Sequence, residues 1–152
     1  LLAEALAERA QAQERLNSLH ERLLAVVRVQ EGDTPEEDPQ ELLRELDGVT
    51  GRIDELVQAI NATNIATAFD EKRNLMEALA LRDGLLRKRR IYHDLAQRAG
   101  TRSDRYSRNE IKFVSTIPVA DMRKRVDDLS KQYRELDTRI QQLNWNTELK
   151  NG

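Results

Sequence analysis

The sequence predicts an all-α protein made of long antiparallel helical hairpins, close to a four-helix bundle, with one extended segment around residues 104–117. The main observation is a row of apolar residues near the end of the chain, spaced alternately by three and four positions: Val119, Met122, Val126, Leu129, Tyr133, Leu136, Ile140 and Leu143. This spacing places the row on one stripe of a helix, which must be buried against another helix. The composition agrees, because 34% charged and 4% aromatic residues are typical of long helices rather than of a compact mixed fold.

The first part of the chain predicts two helices joined by an acidic connector. Helix one is predicted from Leu2 to Val29, with Gly32 as its stop. Its apolar face consists of Leu16, Leu19, Leu23 and Val26. Helix two is predicted to start with Asp38 as cap, Pro39 in the first turn and Glu41 closing a capping box. Its apolar face consists of Leu42, Leu46, Val49, Ile53, Leu56 and Ile60.

Two glycines, Gly48 and Gly51, lie inside helix two. Either they weaken the helix by up to about 1 kcal/mol each relative to Ala, or they allow a neighbouring backbone to approach closely. The sequence leaves both interpretations open.

The next part predicts a turn and a third helix. The turn runs from Thr67 to Arg73, and a capping box of Asn74 and Glu77 opens helix three. Gly100 is predicted to end this helix, whose apolar face includes Leu75, Leu79, Leu85, Leu86, Tyr92, Leu95 and Ala99.

A non-helical stretch separates helices three and four. Residues 101–117 show no helical period, and β-branched and aromatic residues concentrate in Ile111–Ile117, which predicts extended or strand-like backbone there. Pro118 suits the first turn of helix four, which is predicted to reach about Trp145. The whole chain, residues 1–152, is predicted to form a single helical domain.

Charges are segregated along the chain. Between residues 30 and 58, ten acids are accompanied only by Arg44 and Arg52, and between residues 82 and 112, ten bases are accompanied by only four acids. One interpretation is that the basic stretch contacts nucleic acid or another anion. We favour the other, in which it pairs with the acidic stretch within a subunit or across an interface. The net charge of −2 and the lack of base-stacking aromatics beside the arginines disfavour a polyanion partner.

Helix four carries a second pattern beside its apolar stripe. Charges of alternating sign follow each other four residues apart: Arg123, Asp127, Lys131, Glu135 and Arg139. Such a ladder stabilises a helix only slightly and is typical of a solvated face.

The sequence shows no motif for catalysis, a metal or a cofactor. There is no cysteine, and neither His20 nor His93 has the glutamate three positions earlier that carboxylate-bridged metal bundles use. No glycine-rich phosphate loop occurs either. We therefore expect no cofactor and no metal, and nothing argues for an enzyme. The chain also lacks a long apolar run and a signal peptide, from which we expect a cytoplasmic location and no membrane partner.

Two polar clusters are candidate sites. The first combines Asn61 and Asn64, near the end of helix two, with Asn144 and Trp145, near the end of helix four. These side chains can bind a ligand. They can also satisfy backbone carbonyls and cover the end of a bundle, which is the interpretation we favour.

The second cluster lies in the stretch from Asp104 to Thr116 and contains Arg105, Tyr106, Arg108 and Lys112. A long loop in a helical protein is usually functional or part of an interface. The three bases can hold a phosphate or carboxylate, or they can pair with the acidic connector of a neighbouring subunit. We slightly favour the structural role.

These same regions resemble a known family. The residues that carry the resemblance are Asp104–Thr116, Ile60-Asn61-x-x-Asn64, Arg134–Gln141 and Leu143-Asn144-Trp145. They are similar to the septicolysin family, small bacterial proteins otherwise classed as a domain of unknown function, and the likeness spans nearly the whole chain. The resemblance implies a helical protein of cytosolic type with no established activity. It transfers no catalytic residue to this chain.

Three hypotheses for function follow. The first is a structural or interaction protein that forms a homo-oligomer, which the segment from Asp104 to Thr116 helps to lock. The second is a binding module for nucleic acid or a small phosphate through the segment from Arg105 to Lys112. The third and least favoured is a membrane-active protein of septicolysin type.

Overall fold

The protein folds into four helices within residues 1–101 and 111–151, the part of the chain that the computed structural model describes. They are α1 (Leu2–Val26), α2 (Pro39–Ala66), α3 (Leu75–Gly100) and α4 (Val119–Asn146). This part of the chain contains no strand, only an isolated bridge between Ala68 and Asn74. The predicted all-α class is confirmed. Helix α2 begins at Pro39 and helix α3 ends at Gly100, both as predicted.

The chain divides into two compact units. Unit 1 consists of Leu1–Leu75 and Gln141–Gly152, and unit 2 consists of Met76–Ile140. Every position of the apolar row predicted for α4 is buried or half-buried. The row is therefore the core stripe that its spacing predicted, whereas the single domain stays a prediction.

In unit 1, α1 and α2 form an antiparallel hairpin, called hairpin one below. Three ion pairs join the helices in reverse order: Arg22 with Glu37, Arg15 with Glu45, and Glu8 with Arg52. Beneath them, an apolar cluster is formed by Leu19, Leu23, Val26 and Leu42, with Leu46 and Val49 packed against it. The predicted apolar faces of helices one and two thus meet each other.

Helix α1 ends at Val26, three residues before the predicted end at Val29. Val27 and Val29 are 62% and 44% exposed, so burial does not support another helical turn. The chain instead makes a turn in which the Asp33 amide donates to the Gln30 carbonyl at 3.0 Å. Gly32 has φ +89° in this turn, a backbone conformation that glycine adopts without steric cost.

The connector between α2 and α3 is held by one aspartate. Asp70 Oδ1 accepts the Lys72 and Arg73 amides at 2.9 and 2.8 Å, and Asp70 Oδ2 accepts the Arg73 guanidinium at 2.7 and 3.0 Å. The guanidinium also lies over the ring of Phe69, which is buried. The predicted turn is therefore confirmed as a tightly bonded loop, and its closing bond runs from the Leu75 amide to the Thr67 carbonyl at 2.8 Å.

In unit 2, α3 and the part of α4 up to Ile140 form a second antiparallel hairpin, hairpin two. Its cross-helix contacts again run in reverse order: Arg82 with Asp137 at 3.0 Å, Arg89 Nε with Ser130 Oγ at 2.6 Å, and Arg125 with the Tyr92 hydroxyl. Leu129, Val126 and Ala96 are buried in this unit. Hairpin two therefore repeats the construction of hairpin one with different polar partners.

Residues 111–117 lie before α4 and are not helical, as predicted. They pair with no strand in the described chain, so the strand-like alternative is not found, and the remainder of the predicted extended segment, 104–110, lies outside the described residues. Ile111, Phe113 and Val114 have no neighbouring strand to cover their side chains and are 84%, 84% and 80% exposed.

The glycines of α2 do not serve a close backbone approach. A methyl group added at Gly48 or Gly51 would have no atom of the described chain within 4 Å beyond the local helix. The interpretation that Gly48 and Gly51 allow a close backbone approach is therefore wrong. The other interpretation, that they weaken the helix, remains.

The outer faces of the helices are polar. All five residues of the charge ladder on α4 are exposed, which confirms the predicted solvated face, and within it Lys131 and Glu135 lie 4.0 Å apart. None of the helices in the described chain combines the length and the apolar character that a bilayer crossing requires.

Candidate functional site

Two grooves flank the last turns of α3 in unit 2. The first has a volume of about 470 Å³ and is mostly polar at its rim, with His93, Gln97, Thr101, Arg123 and Asp127 around a floor of Ala96 and Val126. It lies where the end of α3 meets the first turns of α4. Side chains with a cation, an imidazole, an amide, a hydroxyl and a carboxylate therefore line this one groove.

Arg123 lies directly on the end of α3. A methyl group added at Gly100 would be 3.3 Å from Arg123 Nη2, so the missing side chain of the glycine leaves room for the guanidinium. The position is electrostatically favourable, because the carboxyl end of a helix carries partial negative charge. The Thr101 hydroxyl donates to the Gln97 carbonyl at 2.9 Å and satisfies part of the same helix end.

The second groove is more apolar and has a volume of about 540 Å³. Leu95 and Ala99 of α3 form one wall, and Phe113, Val114 and Ile117 form the other. Arg98 and Thr101 lie at its edge. The groove therefore combines large apolar side chains with a positive rim.

Several cations of α3, of the segment before α4 and of the first turns of α4 have no ion pair among the described residues. They are Arg87, Arg90, Arg98, Lys112, Arg123 and Lys124. By contrast, Arg82 and Arg89 of the same basic stretch bind Asp137 and Ser130 inside hairpin two. The basic stretch therefore divides into bases that stabilise the hairpin and bases that face solvent.

The second polar cluster lies only partly within the described residues. Arg105, Tyr106 and Arg108 lie outside the described residues, and Lys112 is exposed. Lys112 follows Ile111 and precedes Phe113, so its ammonium group belongs to the exposed segment that continues into the second groove. The ligand-binding role of this cluster stays a prediction.

The first polar cluster lies at one end of unit 1. Asn144 is buried, Asn64 half-buried and Asn61 exposed, and Trp145 is 61% exposed. The structure connects this end through Thr63, the buried residue between the two asparagines. Thr63 Oγ1 donates to the Ala59 carbonyl at 2.7 Å and accepts the Lys150 amide at 2.9 Å.

Helix ends around this cluster are satisfied by short polar side chains. The Thr67 hydroxyl donates to the Thr63 carbonyl at 2.7 Å, and Asn146 Nδ2 donates to the Gln142 carbonyl at 2.7 Å. These bonds satisfy carbonyl groups that the last turn of a helix leaves without partners. Asn144 is also bonded locally, to Gln141 at 3.5 Å.

Three carboxyl groups of unit 1 have lowered pKa values. Hydrogen bonds from Arg52 and Arg22 lower the pKa of Glu8 and Glu37, and the Arg73 guanidinium with the Lys72 amide lowers the pKa of Asp70. Glu8 and Glu37 form ion pairs of hairpin one, and Asp70 holds the connector between α2 and α3. These contacts therefore bear on stability.

Among its described lining residues, the first groove does not bring a nucleophile together with a base. The Thr101 hydroxyl is engaged with a backbone carbonyl, and His93 Nδ1 lies 3.5 Å from Asp94. The described residues also contain no group of three or more potential metal ligands. The described lining is thus polar and charged in the first groove and mostly apolar in the second.

Sequence reasoning missed the first groove for an identifiable reason. The charge pattern of helix four assigns Arg123 and Asp127 to a solvated face, and the sequence shows no metal motif at His93. The spacing of α4 did place Arg123 and Asp127 directly after the core residues Met122 and Val126, which is the signal for side chains at the border of a helix contact. What the spacing could not show is that this border meets the exposed end of α3.

The fold is that of a helical protein with two antiparallel hairpins, and comparisons with known proteins identify its family. The chain belongs to the family of unknown function DUF6847, whose model matches residues 9–149. A functionally unknown conserved protein from Corynebacterium diphtheriae is similar over 98% of this chain and 97% of its own, with 52% identity and a TM-score of 0.92. No curated protein matches the chain. Membership in a family of unknown function is thus confirmed, and the septicolysin label stays a prediction.

Proposed function

We propose that the protein is a structural or interaction protein that assembles into a homo-oligomer through the segment 111–117. The observation that carries the proposal is the exposure of three large apolar side chains in this segment, Ile111, Phe113 and Val114, at 84%, 84% and 80%. Apolar surface in water costs about 25 cal/mol per Å², and contiguous patches of it usually mark an interaction surface.

The second groove supplies the rest of such a surface. Leu95, 44% exposed, stands beside Phe113 and Val114, so the patch continues from the segment onto α3. A second copy that covers this patch removes all of these side chains from water together. A cytoplasmic location, inferred from the sequence, is compatible with this proposal and is itself a prediction.

Absolute mass in solution, measured by light scattering on a size-exclusion column, tests the proposal. We expect the wild type to form a closed oligomer, and the double variant Phe113→Ser/Val114→Ser to shift toward the 17.6 kDa monomer. The matched control is Val29→Ser/Ile65→Ser, which removes two exposed apolar side chains from unit 1 and should leave the mass unchanged. A wild type that stays monomeric at micromolar concentration would contradict the proposal.

A second candidate function is a binding module for an anionic ligand, either nucleic acid or a small phosphate. It is favoured by Arg98, Arg123 and Lys112, which have no ion pair in the described chain and lie at or near the grooves. Affinity for phosphate or for a single-stranded oligonucleotide should then fall steeply with salt and weaken in Arg105→Ala/Arg108→Ala. Binding that is absent, or indifferent to salt, would remove this candidate.

A membrane-active function of septicolysin type is the least favoured of the three hypotheses. It rests on the family resemblance alone, without a contact or surface described above. Liposomes loaded with a fluorescent dye test it, because a membrane-active protein releases the dye. No release at micromolar protein would exclude this function.

A further inference from the structure

The two units carry opposite charge. The sequence of unit 1 contains 17 acidic and 9 basic residues, a net charge of −8, and that of unit 2 contains 16 basic and 10 acidic residues, a net charge of +6. Opposite charges on two parts of one chain favour association between copies in which unlike units meet, and they disfavour contacts between like units.

The outer face of α1 carries part of the acidic surface. Residues spaced 3-4-3-4-3 form a stripe opposite the buried side of the helix: Ala7, Ala10, Glu14, Asn17, Glu21 and Leu24. All six are exposed, Leu24 at 60%. Glu14 and Glu21 make no ion pair within the described chain. This face therefore offers two unpaired carboxylates between small residues and one leucine.

The outer face of α3 has the same spacing and the opposite charge. Its stripe consists of Leu81, Gly84, Lys88, Ile91, Leu95 and Arg98. Leu81, Ile91 and Leu95 are 41%, 56% and 44% exposed. Lys88 contacts only the ring of Tyr92, and Arg98 makes no ion pair in the described chain. This face offers large apolar side chains between cations.

We propose that the outer face of α1 in one copy binds the outer face of α3 in a second copy, which rests on the homo-oligomer proposed above. Both stripes extend over eighteen residues, and the seventeen steps between their ends cover about 26 Å of helix at a rise of about 1.5 Å per residue. The identical 3-4 spacing lets their side chains interdigitate as in other helix pairs. In a two-fold dimer the contact forms twice, because each copy contributes both faces.

Charge indicates which helix face of a second copy binds to each of the two faces. Pairing of α3 with α3 would bring Lys88 and Arg98 of both copies together, and pairing of α1 with α1 would do the same for Glu14 and Glu21. The unlike pairing instead sets carboxylates against cations and places the small residues of α1 against the large apolar residues of α3. A second copy supplies this complement at the same concentration as the first.

Charge reversal on each face tests the pairing. In Glu14→Lys/Glu21→Lys and in Lys88→Glu/Arg98→Glu, both contacts of the dimer become repulsive, and self-association should weaken by about tenfold or more. An equimolar mixture of the two variants restores attraction at both contacts, so heterodimers should form. Because all four positions are exposed and Lys and Glu are good helix formers, helicity measured by circular dichroism should not change.

The outcomes separate this proposal from the one it rests on. A monomeric wild type removes both. A wild type that associates while each reversed variant associates equally well keeps the homo-oligomer and overturns the pairing of α1 with α3. The same holds if the variants dissociate and their mixture does not recover, since the charges then act elsewhere. Asp47→Lys/Asp54→Lys is the matched control, because both aspartates are exposed on α2 and form no ion pair in the described chain. This variant has the same change in net charge away from the face, and it should associate like the wild type.

Discussion

Hairpin one and hairpin two have the same antiparallel construction but different ways of using charge. In hairpin one, three ion pairs connect the helices along their length, and the Glu8–Arg52 pair is bidentate at 2.7 and 3.1 Å. In hairpin two, Arg82 forms the cross-helix ion pair with Asp137, while Arg89 and Arg125 bind hydroxyl groups. More of the bases of hairpin two are left to face solvent.

This difference separates what forms the fold from what forms the surface. Apolar residues spaced by three and four are buried in both hairpins, so the buried stripe is what the two hairpins share. Exposed ion pairs add little to stability. The charges are therefore free to differ between the hairpins, and their difference is the basis of the association between copies proposed above.

The largest expected effect comes from breaking either stripe. Leu19→Ala in hairpin one and Leu129→Ala in hairpin two each remove a buried side chain, 0% and 7% exposed, and each should cost about 2–5 kcal/mol. Denaturant unfolding followed by circular dichroism measures the loss. Leu43→Ala, at a position 40% exposed, is the matched control and should cost less than either.

The same unfolding curves also show whether the two hairpins unfold together or separately. A single transition that shifts as a whole in both variants would mean that the hairpins unfold cooperatively, as the predicted single domain requires. Two transitions, of which each variant moves only one, would show that unit 1 and unit 2 are independent and that the prediction of one domain is wrong.

Much of this fold follows from the sequence for a physical reason. The period of apolar residues determines which helix face is buried, and Pro39 and Gly100 mark helix boundaries through backbone chemistry. The predicted end of α1 is wrong by three residues. Where a helix ends depends on tertiary burial, and Val27 and Val29 are exposed. Gly32 is predicted to stop the helix, but α1 already ends at Val26 and Gly32 lies in the turn that follows.

The candidate site was less accessible to sequence reasoning. A groove forms where side chains distant in the chain meet, such as His93 and Arg123, and no local pattern encodes that meeting. The asparagines of the first cluster were selected by type, whereas the residue that connects their surroundings is Thr63, a small side chain with no distinctive motif. Composition identified the basic stretch but could not divide it into bonded and free arginines.

Acid should weaken hairpin one and the connector between α2 and α3, because carboxyl pKa values are lowered in both. Glu8, Glu37 and Asp70 bind protons less readily in the folded than in the unfolded chain, so their stabilisation is complete above the ordinary carboxyl pKa of about 4. It is lost as the pH falls through the lowered values of the folded state. The unfolding midpoint, measured from pH 6 down to pH 2, should therefore decrease.

Amide variants identify the source of this acid sensitivity. In Glu8→Gln/Glu37→Gln the two side chains no longer titrate, so the midpoint should start lower at neutral pH and decline less on acidification. Glu36→Gln/Glu41→Gln is the control, because these glutamates are exposed and form no ion pair in the described chain. An acid decline equally steep in both variants would show that the ion pairs of hairpin one are not its cause.

The smallest effect compares a glycine from each hairpin. Gly48 of α2 and Gly84 of α3 both lie inside helices, and a methyl group added at either has no atom within 4 Å beyond its own local helix. Ala at each position should stabilise the monomer by about 0.5–1 kcal/mol, since glycine loses more conformational freedom on folding. Gly84 differs only if α3 binds a second copy, because the methyl group then lies within the contact. Equal gains at low protein concentration, followed by a change in association for Gly84→Ala alone at high concentration, would place the contact on α3. Identical association of both variants would instead argue that the outer face of α3 remains in solvent.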